Sequence, residues 1–206
     1  MSYVRSDIVT EVRDTIYEGT ADILSDVRIR RFIASEIRSL PRKRVYLQEI
    51  HTTSTVVDQL DYVLPTGTFN VEKVERNFGT ASLPDWIEVS GWRQYGGAIY
   101  LAERPSTVWT MRCHLQKGFT VPSDDVTAVD VPDDKVELVV LGAAVRCYRA
   151  IIGYLKDAKN WDAIAKPDGI SLSQIHAWYR DLKKDYKETL DEYRTTPLPR
   201  DIDLVN

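Results

Sequence analysis

Histidines and cysteines are the residues of this sequence that most often bind metals, and their spacing gives little support for a metal site. The three histidines, His51, His114 and His176, are far apart, and none has a metal-binding partner three or four residues away. Cys113 and His114 are adjacent in a predicted strand, so their side chains point to opposite faces. Since structural and catalytic metal sites need clustered ligands, the sequence predicts no transition-metal centre.

The carboxylate pairs and glycine pairs also lack a catalytic pattern. Asp124-Asp125 and Asp133-Asp134 flank a predicted helix start, where acidic side chains stabilise the helix dipole. Gly96-Gly97 is not followed by the Lys-Ser/Thr of a phosphate loop, and no Gly-x-Ser-x-Gly elbow occurs. A glycosidase-type pair formed by carboxylates distant in sequence stays open. We therefore expect no enzyme and no cofactor.

Composition limits the remaining functions. The 206 residues are 43% hydrophobic and 28% charged, which is typical of a globular protein with a sizeable core. The net charge of −4 is spread along the chain, whereas a nucleic-acid binder shows a basic face. We expect no membrane span, since no apolar run approaches ~18 residues, and no signal peptide in the first twelve residues. Cys113 and Cys147 are predicted to be buried free thiols in a reducing cytosol.

The longest apolar helix, predicted over residues 132–158, is the element around which the others must pack. Pro132 and the Asp133-Asp134 pair are typical of a helix start. The Gly142-Ala143-Ala144 patch is small enough for another element to approach closely. Its buried stripe is predicted from helical spacing and comprises Val136, Val139, Val140, Ala143, Ala144, Cys147, Ile151 and Tyr154.

Three further helices are predicted from the same spacing. Residues 6–17 and 26–40 form two short helices, with Ile8, Val12 and Ile16 as the stripe of the first. A Ser171-x-x-Gln174 capping box opens the last helix. Its aromatic-rich stripe suits either the core or an interface. The stripe of the second helix is Ile29, Ile33, Ile37 and Leu40. The stripe of the last helix is Ile175, Trp178, Tyr179, Leu182, Tyr186, Leu190 and Tyr193.

Between the helices, residues 44–119 predict an antiparallel sheet of about five to seven short strands. Gly96-Gly97 marks a hairpin between residues 92–95 and 98–101. In the last strand, Trp109, Met111, Cys113 and Leu115 alternate with polar residues and should face the core. The predicted fold class is α+β: a helical bundle of two short N-terminal and two long C-terminal helices, with an inserted antiparallel β-sheet and an extended C-terminal arm.

Two charged or extended segments have alternative interpretations. The second helix has a basic face, which is either solvated or contacts an acidic partner or passing phosphate. The proline-containing tail, residues 195–206, is either a frayed terminus or a docking arm. The basic residues are Arg28, Arg30, Arg31, Arg38, Arg42, Lys43 and Arg44.

The order of these segments resembles the head-to-tail adaptor (connector, or head-completion) proteins of tailed bacteriophages. The resemblance covers residues 25–154, from SDVRIRRFIASEIRSLPR through QLDYVLPTGTFNVEKVERN and GWRQYGGAIYLAERPSTVWTMRCHLQ to VDVPDDKVELVVLGAAVRCYRAIIGYL. Its most specific pieces are Asp61-Tyr62-x-Leu64-Pro65, Ile99-Tyr100-Leu101 ahead of Pro105, and Val131-Pro132 before the alanine-rich helix.

The resemblance implies a structural virion protein, made in the bacterial cytoplasm and located in the neck. Such proteins form a ring of about twelve copies under the portal protein. The ring extends the channel for double-stranded DNA, which passes without sequence-specific binding, and offers a surface to the tail or the next neck protein. At −4 per chain, twelve copies would carry roughly −48 charges, which would keep DNA from adhering. We expect a portal-free chain to be largely monomeric.

In this interpretation residues 1–206 form one adaptor domain, with helices in 6–40 and 133–194, the β insertion in 44–119 and the arm in 195–206. The arm would dock on the portal through Pro197, Leu198, Pro199, Ile202, Leu204 and Val205. Neighbouring copies would meet head to tail. The residues expected at that contact are Arg28, Arg31, Arg42, Asp124, Asp125, Trp178 and Tyr186.

The alternative function is a monomeric binding module. In that case exposed aromatic side chains of the sheet, Trp86, Trp92, Tyr95 and Tyr100, would contact a carbohydrate or a protein.

Overall fold

The structure is a computed structural model that describes residues 3–16, 24–157 and 172–194. Contacts divide the chain into two compact units. The helical unit combines the described residues of Met1–Val45 and Phe119–Arg194, and the β unit is Tyr46–Gly118. The fold is α+β, which confirms the class predicted from the sequence.

The helical unit contains α1 (Arg5–Thr15), α2 (Asp26–Ser39), α3 (Asp133–Asp157) and α4 (Leu172–Tyr193), with a 3-10 turn at Pro41–Lys43. The central element is α3, which packs against the other three helices. This arrangement confirms that the helix predicted over residues 132–158 organises the bundle.

Local chemistry explains where the short helices begin and end. The side chain of Asp7, in the first turn of α1, accepts a hydrogen bond from the backbone N–H of Val4 at 3.1 Å. Asp26 provides the acidic first turn of α2 after Ser25. Pro41 lacks a backbone N–H, so α2 ends before it and a short 3-10 turn follows, ending at Arg44 with φ 66°.

The predicted core face of α3 is correct except at its C-terminal end. Seven of its eight predicted residues are buried, but Tyr154 is 46% exposed. Near this end the buried face rotates around the helix, so that Ile152 and Leu155 are buried instead. Fixed 3.6-residue periodicity does not anticipate that rotation, because it depends on where the partner helices lie.

Helix α3 also meets the length and composition of a membrane span over Asp133–Leu155, with a mean hydropathy of 1.6. The expectation that no stretch does so is therefore wrong by this criterion. However, 61% of the 18-residue window that meets this criterion is buried inside the protein, which is typical of a core helix.

The β unit contains seven strands: β1 (Leu47–Ser54), β2 (Asp61–Val63), β3 (Thr68–Asn77), β4 (Trp86–Glu88), β5 (Arg93–Tyr95), β6 (Ala98–Tyr100) and β7 (Thr110–Lys117). They form two antiparallel sheets with strand orders β1-β7-β3-β4 and β2-β6-β5. The hairpin predicted at Gly96-Gly97 is present as β5 and β6.

The single predicted sheet is thus a pair of sheets. Tyr62 and Ile99 face inward from the second sheet and pack on Met111, Cys113 and Leu115 of the first. Both sheets carry an apolar face, and one continuous sheet would leave one of these faces in water. The burial predicted for alternate residues of β7 is confirmed.

Strand β3 departs from simple alternation. Its pairing with β7 shifts register between Val71 and Lys73. This irregularity allows both Val71 and Val74 to reach the core, although an odd spacing of three positions would otherwise place them on opposite faces of the strand.

Candidate functional site

The arginines of α2 form an exposed stripe. Arg28, Arg31, Arg38 and Arg42 are all exposed, and their spacings of three, seven and four residues keep them on one side of the helix and its 3-10 extension. The opposite side carries the core residues Ile29, Ile33, Ile37 and Leu40. Within the described residues no carboxylate lies within 4.0 Å of these four arginines. We call these four residues the arginine stripe.

The two acidic residues predicted to meet a neighbour, Asp124 and Asp125, already have partners in the same chain. Asp124 accepts hydrogen bonds from the side chain of Thr127 and from the backbone N–H groups of Thr127 and Val126, and these bonds lower its pKa. Asp125 forms ion pairs with Arg5 at 2.8 Å and Arg30 at 2.7 Å. These contacts hold the loop before α3 against α1 and α2. Their predicted role between copies stays a prediction.

Trp178 of α4, another predicted contact residue, lines an open cleft of about 340 Å³. The half-buried Trp178 and Leu182 and the buried Tyr148 provide its apolar part. Three exposed carboxylates from α1 and α4, Asp14, Asp181 and Asp185, also line it. No ion pair of these three carboxylates occurs in the described ranges. We call this the acidic cleft.

Tyr186, the last of the predicted contact residues, belongs to a polar cluster inside the helical unit. Its hydroxyl donates a hydrogen bond to Oε1 of Glu36 at 2.6 Å and accepts one from Nζ of Lys43 at 2.5 Å. Burial and the adjacent carboxylate raise the pKa of Tyr186 above its usual value of 10.0. Tyr186 therefore ties α4 to α2.

Glu36 is the centre of this cluster and is only 1% exposed. Arg146 of α3 donates two hydrogen bonds to its Oε2, at 3.0 and 2.9 Å, and Lys43 contacts Oε1 at 2.5 Å. Burial raises the pKa of Glu36, but the hydrogen bonds from Lys43 and Tyr186 outweigh it and hold the pKa below 4.5. A carboxylate that is charged and fully engaged suits a structural role rather than proton transfer.

Glu75 is the corresponding buried carboxylate of the β unit, where cationic side chains surround it. Its Oε2 accepts hydrogen bonds from Arg112 at 2.6 Å and faces Nε2 of His114 at 2.8 Å, while Lys73 lies 3.2 Å from Oε1. Burial opposes ionisation, but these partners lower the pKa of Glu75 to about 2. His114 thus points away from buried Cys113, as the strand geometry predicted.

Both carboxylates were missed as structural centres, although the sequence contains a signal for one. Glu36 continues the apolar series Ile29, Ile33 and Leu40 at helical spacing, so it lies on the core face of α2. Glu75 has no comparable signal, because its position facing Arg112 depends on the register of β3 against β7.

Only part of the predicted aromatic platform is exposed. Trp92 packs partly buried against the core of the β unit, and Trp86 lies under the guanidinium of Arg112 at 4.2 Å. Tyr95 and Tyr100 are 77% and 40% exposed. The two tryptophans, which would supply most of the stacking surface, are thus already engaged inside the unit.

Metal ligands are not clustered in the described part of the chain, where no group of three or more His, Cys, Asp or Glu residues could hold an ion. The predicted docking arm, Pro197 to Val205 in the tail, lies outside the described residues, as does the Ser171 cap.

Comparison with known proteins gives little further information. No protein-family model matches the chain, and no curated protein matches it. Among solved structures, it matches a chain described as "Neck of empty GTA particle computed with C6 symmetry", with 14% identity and a TM-score of 0.29. The match covers 75% of this chain and 79% of that one. A TM-score this low establishes neither a shared fold nor a shared role.

Proposed function

We propose that this chain is a head-to-tail adaptor of a tailed bacteriophage. It is a structural protein of the virion neck that forms a ring under the portal, extends the DNA channel and provides the attachment surface for the tail. The proposal starts from the resemblance of residues 25–154 to such adaptors.

The observation that carries the proposal is the way in which the chain builds its helical unit. Helices α1 and α2 come from the N-terminal part, α3 and α4 come from the C-terminal part, and the whole β unit is inserted between them. This is the helical bundle with a β insertion that the resemblance implies. In the part of the chain that the structure describes, two helices, seven strands and two further helices follow one another in the expected order.

The chemistry of the described residues supports a structural role as well. The two buried carboxylates, Glu36 and Glu75, are each neutralised by cations of their own unit. Among the described residues, the arginine stripe and the three carboxylates of the acidic cleft are exposed charges that form no ion pair. Unpaired surface charges of opposite sign suit contacts between proteins more than they suit catalysis.

The test is to mix the purified full chain with purified portal rings from the same genome and to image the mixture by electron microscopy. We expect a second ring stacked on the portal. A variant lacking residues 197–206 tests the docking arm: loss of the stacked ring supports the arm, and a ring that survives moves the portal contact to the helices. No stacked ring for the full chain, well above micromolar concentration, would reject the adaptor proposal.

The binding-module function is the less favoured alternative, because Trp86 and Trp92 are engaged within the β unit. Saturable glycan binding by the monomer, abolished in Trp92→Ala with folding intact, would support the module instead. The adaptor proposal predicts no such binding.

A further inference from the structure

The arginine stripe carries four positive charges that have no carboxylate partner in the described part of the same chain, although the guanidinium of Arg28 lies 5.9 Å from the ring centroid of Phe32. Arg28 and Arg31 are three residues apart, and Arg38 and Arg42 are four apart, so the like charges are neighbours on the surface. Like charges at such spacings repel each other. A carboxylate surface placed against the stripe would relieve this repulsion.

The acidic cleft shows the complementary arrangement. Asp181 and Asp185 are four residues apart on α4, which makes them a pair of like negative charges, and Asp14 adds a third carboxylate from α1. The half-buried ring of Trp178 also lines the cleft, and the buried Tyr148 forms part of its wall. Carboxylates beside an aromatic ring form a suitable site for a guanidinium group, which can pair with the former and stack on the latter.

Within the described residues of one copy, no ion pair joins the arginine stripe to the acidic cleft. The ion pairs of the helical unit join other residues, such as Arg13 with Asp26 and Arg30 with Asp125. The stripe belongs to α2 and the cleft to α1, α3 and α4, so the two are different surfaces of the same unit. Complementary but different surfaces on one chain favour a head-to-tail contact between copies, which closes into a ring when the rotation permits.

We propose that the arginine stripe of one copy docks on the acidic cleft of the next copy, so that this contact joins neighbours in the ring. The partner that occupies the acidic cleft is thus a second copy of this chain, because the stripe has the charge that complements the cleft. The inference rests on the proposed adaptor function and gives the ring its neighbour contact. It replaces Asp124 and Asp125 by Asp14, Asp181 and Asp185 as the acidic partners of the stripe.

The physics of such a contact predicts weak, salt-sensitive association of the free chain. Exposed ion pairs contribute little individually and are screened over about 10 Å at 0.1 M salt. The portal would strengthen the contact by holding copies side by side at high effective concentration. A largely monomeric free chain is consistent with this scheme.

Charge reversal tests the pairing. The stripe variant is Arg31→Glu with Arg38→Glu, the cleft variant is Asp181→Arg with Asp185→Arg, and the combined variant carries all four changes. Matched controls reverse exposed charges of the β unit: Arg93→Glu with Arg104→Glu, and Asp61→Arg with Glu103→Arg. Sedimentation velocity at low and high salt measures the association of the chain without portal. Electron microscopy shows whether a ring forms on the portal. Thermal unfolding checks that each variant is folded.

We expect the stripe variant and the cleft variant each to weaken association by at least about tenfold, and the combined variant to recover to within about threefold of the unchanged chain. The controls should behave as the unchanged chain. Recovery in the combined variant excludes a folding defect, since it contains every change made in the two defective variants. Defects that persist in the combined variant would overturn the pairing.

The outcomes for the pairing and for the adaptor function are separable. If the unchanged chain forms a ring on the portal and neither variant weakens it more than its control does, the pairing is wrong and the adaptor function stands. If no ring forms on the portal but salt-sensitive association follows the expected pattern, the pairing stands and the adaptor function is wrong. If neither assembly occurs, both are wrong.

Discussion

Gly142 of α3 lies directly against the side chain of Glu36 in α2. A β-carbon at position 142 would stand 2.5 Å from Cδ and 2.8 Å from Oε1 of Glu36. The carboxylate is held by Lys43, Arg146 and Tyr186 and therefore has little freedom to move away. The close approach predicted at the small-residue patch of α3 is thus made by a buried charged side chain.

Gly142→Ala should therefore destabilise the protein, by about 1–2 kcal/mol, even though alanine favours helices. The added methyl group forces the Glu36 cluster to shift, and that cost exceeds the gain in helix propensity of about 1 kcal/mol. The free energy of unfolding in urea measures the effect.

Gly153→Ala is the matched control on the same helix. Apart from the helix's own backbone and the two adjacent residues, no atom of the described residues lies within 4 Å of a β-carbon built there, so this variant should be stabilised by about 0.5–1 kcal/mol. Equal stabilisation by both substitutions would contradict the packing of Gly142 against Glu36.

Glu36→Gln should destabilise the helical unit by roughly 2–4 kcal/mol, because it leaves Lys43 and Arg146 without their carboxylate. The loss is smaller than for a fully buried pair, since these two side chains are 26% and 35% exposed. Glu137→Gln, at an exposed position of α3, is the control and should have almost no effect. Similar unfolding free energies for the two variants at neutral pH would argue against a structural role for the cluster.

Acid should weaken the β unit through Glu75. Its folded pKa of about 2 lies below the ordinary 4.5, so the stabilisation is complete above about pH 4.5 and is lost as the pH falls towards 2. In Glu75→Gln, the unfolding free energy should depend less on pH across this window. Urea unfolding followed by tryptophan fluorescence is suitable, since Trp86, Trp92 and Trp109 all lie in the β unit.

Glu88→Gln is the control for Glu75, because Glu88 is exposed and lies 3.8 Å from the same Lys73. It should keep the pH dependence of the unchanged chain. A loss of pH dependence in both variants would assign the effect to general surface charge.

Cys113 and Cys147 should resist alkylation in the folded protein. They are 1% and 0% exposed, and burial raises the pKa of each thiol to about 12, so that almost no thiolate forms near neutral pH. Iodoacetamide labelling followed by mass spectrometry should show both sites modified only in denaturant. Ser90→Cys, at an exposed position, should label in the native state and serves as the positive control. Rapid native labelling of either natural cysteine would contradict its burial.

Residue patterns predict the elements of this fold better than they predict its assembly. The helices, the hairpin at Gly96-Gly97 and the inward face of β7 follow from short-range periodicity, and each of these predictions is confirmed. The division into two sheets was not predicted, because it depends on which distant strands pair. The same reason explains Tyr154, whose exposure depends on the helices around the end of α3.

Sequence patterns also predict only part of the candidate interface between copies. The arginine stripe and Trp178 can be identified from the sequence, since exposed charges and half-buried aromatics follow helical spacing. The acidic partners cannot, because Asp14 and Asp181 come together only when α1 and α4 pack around Tyr148. Asp124 and Asp125 stand out in the sequence as a pair, yet Asp125 is already bound by Arg5 and Arg30 of the same chain.

The pairing of Leu47 with Lys117 places the first and last residues of the four-stranded sheet side by side. Paired residues of antiparallel strands lie about 5 Å apart at their α-carbons, so the β unit leaves and rejoins the helical unit through two neighbouring points. Because residues 47 and 117 are paired, we expect that the segment between them can be lengthened or replaced without moving these two ends apart. Under the adaptor proposal, such replacements would fit one helical scaffold to different neighbours.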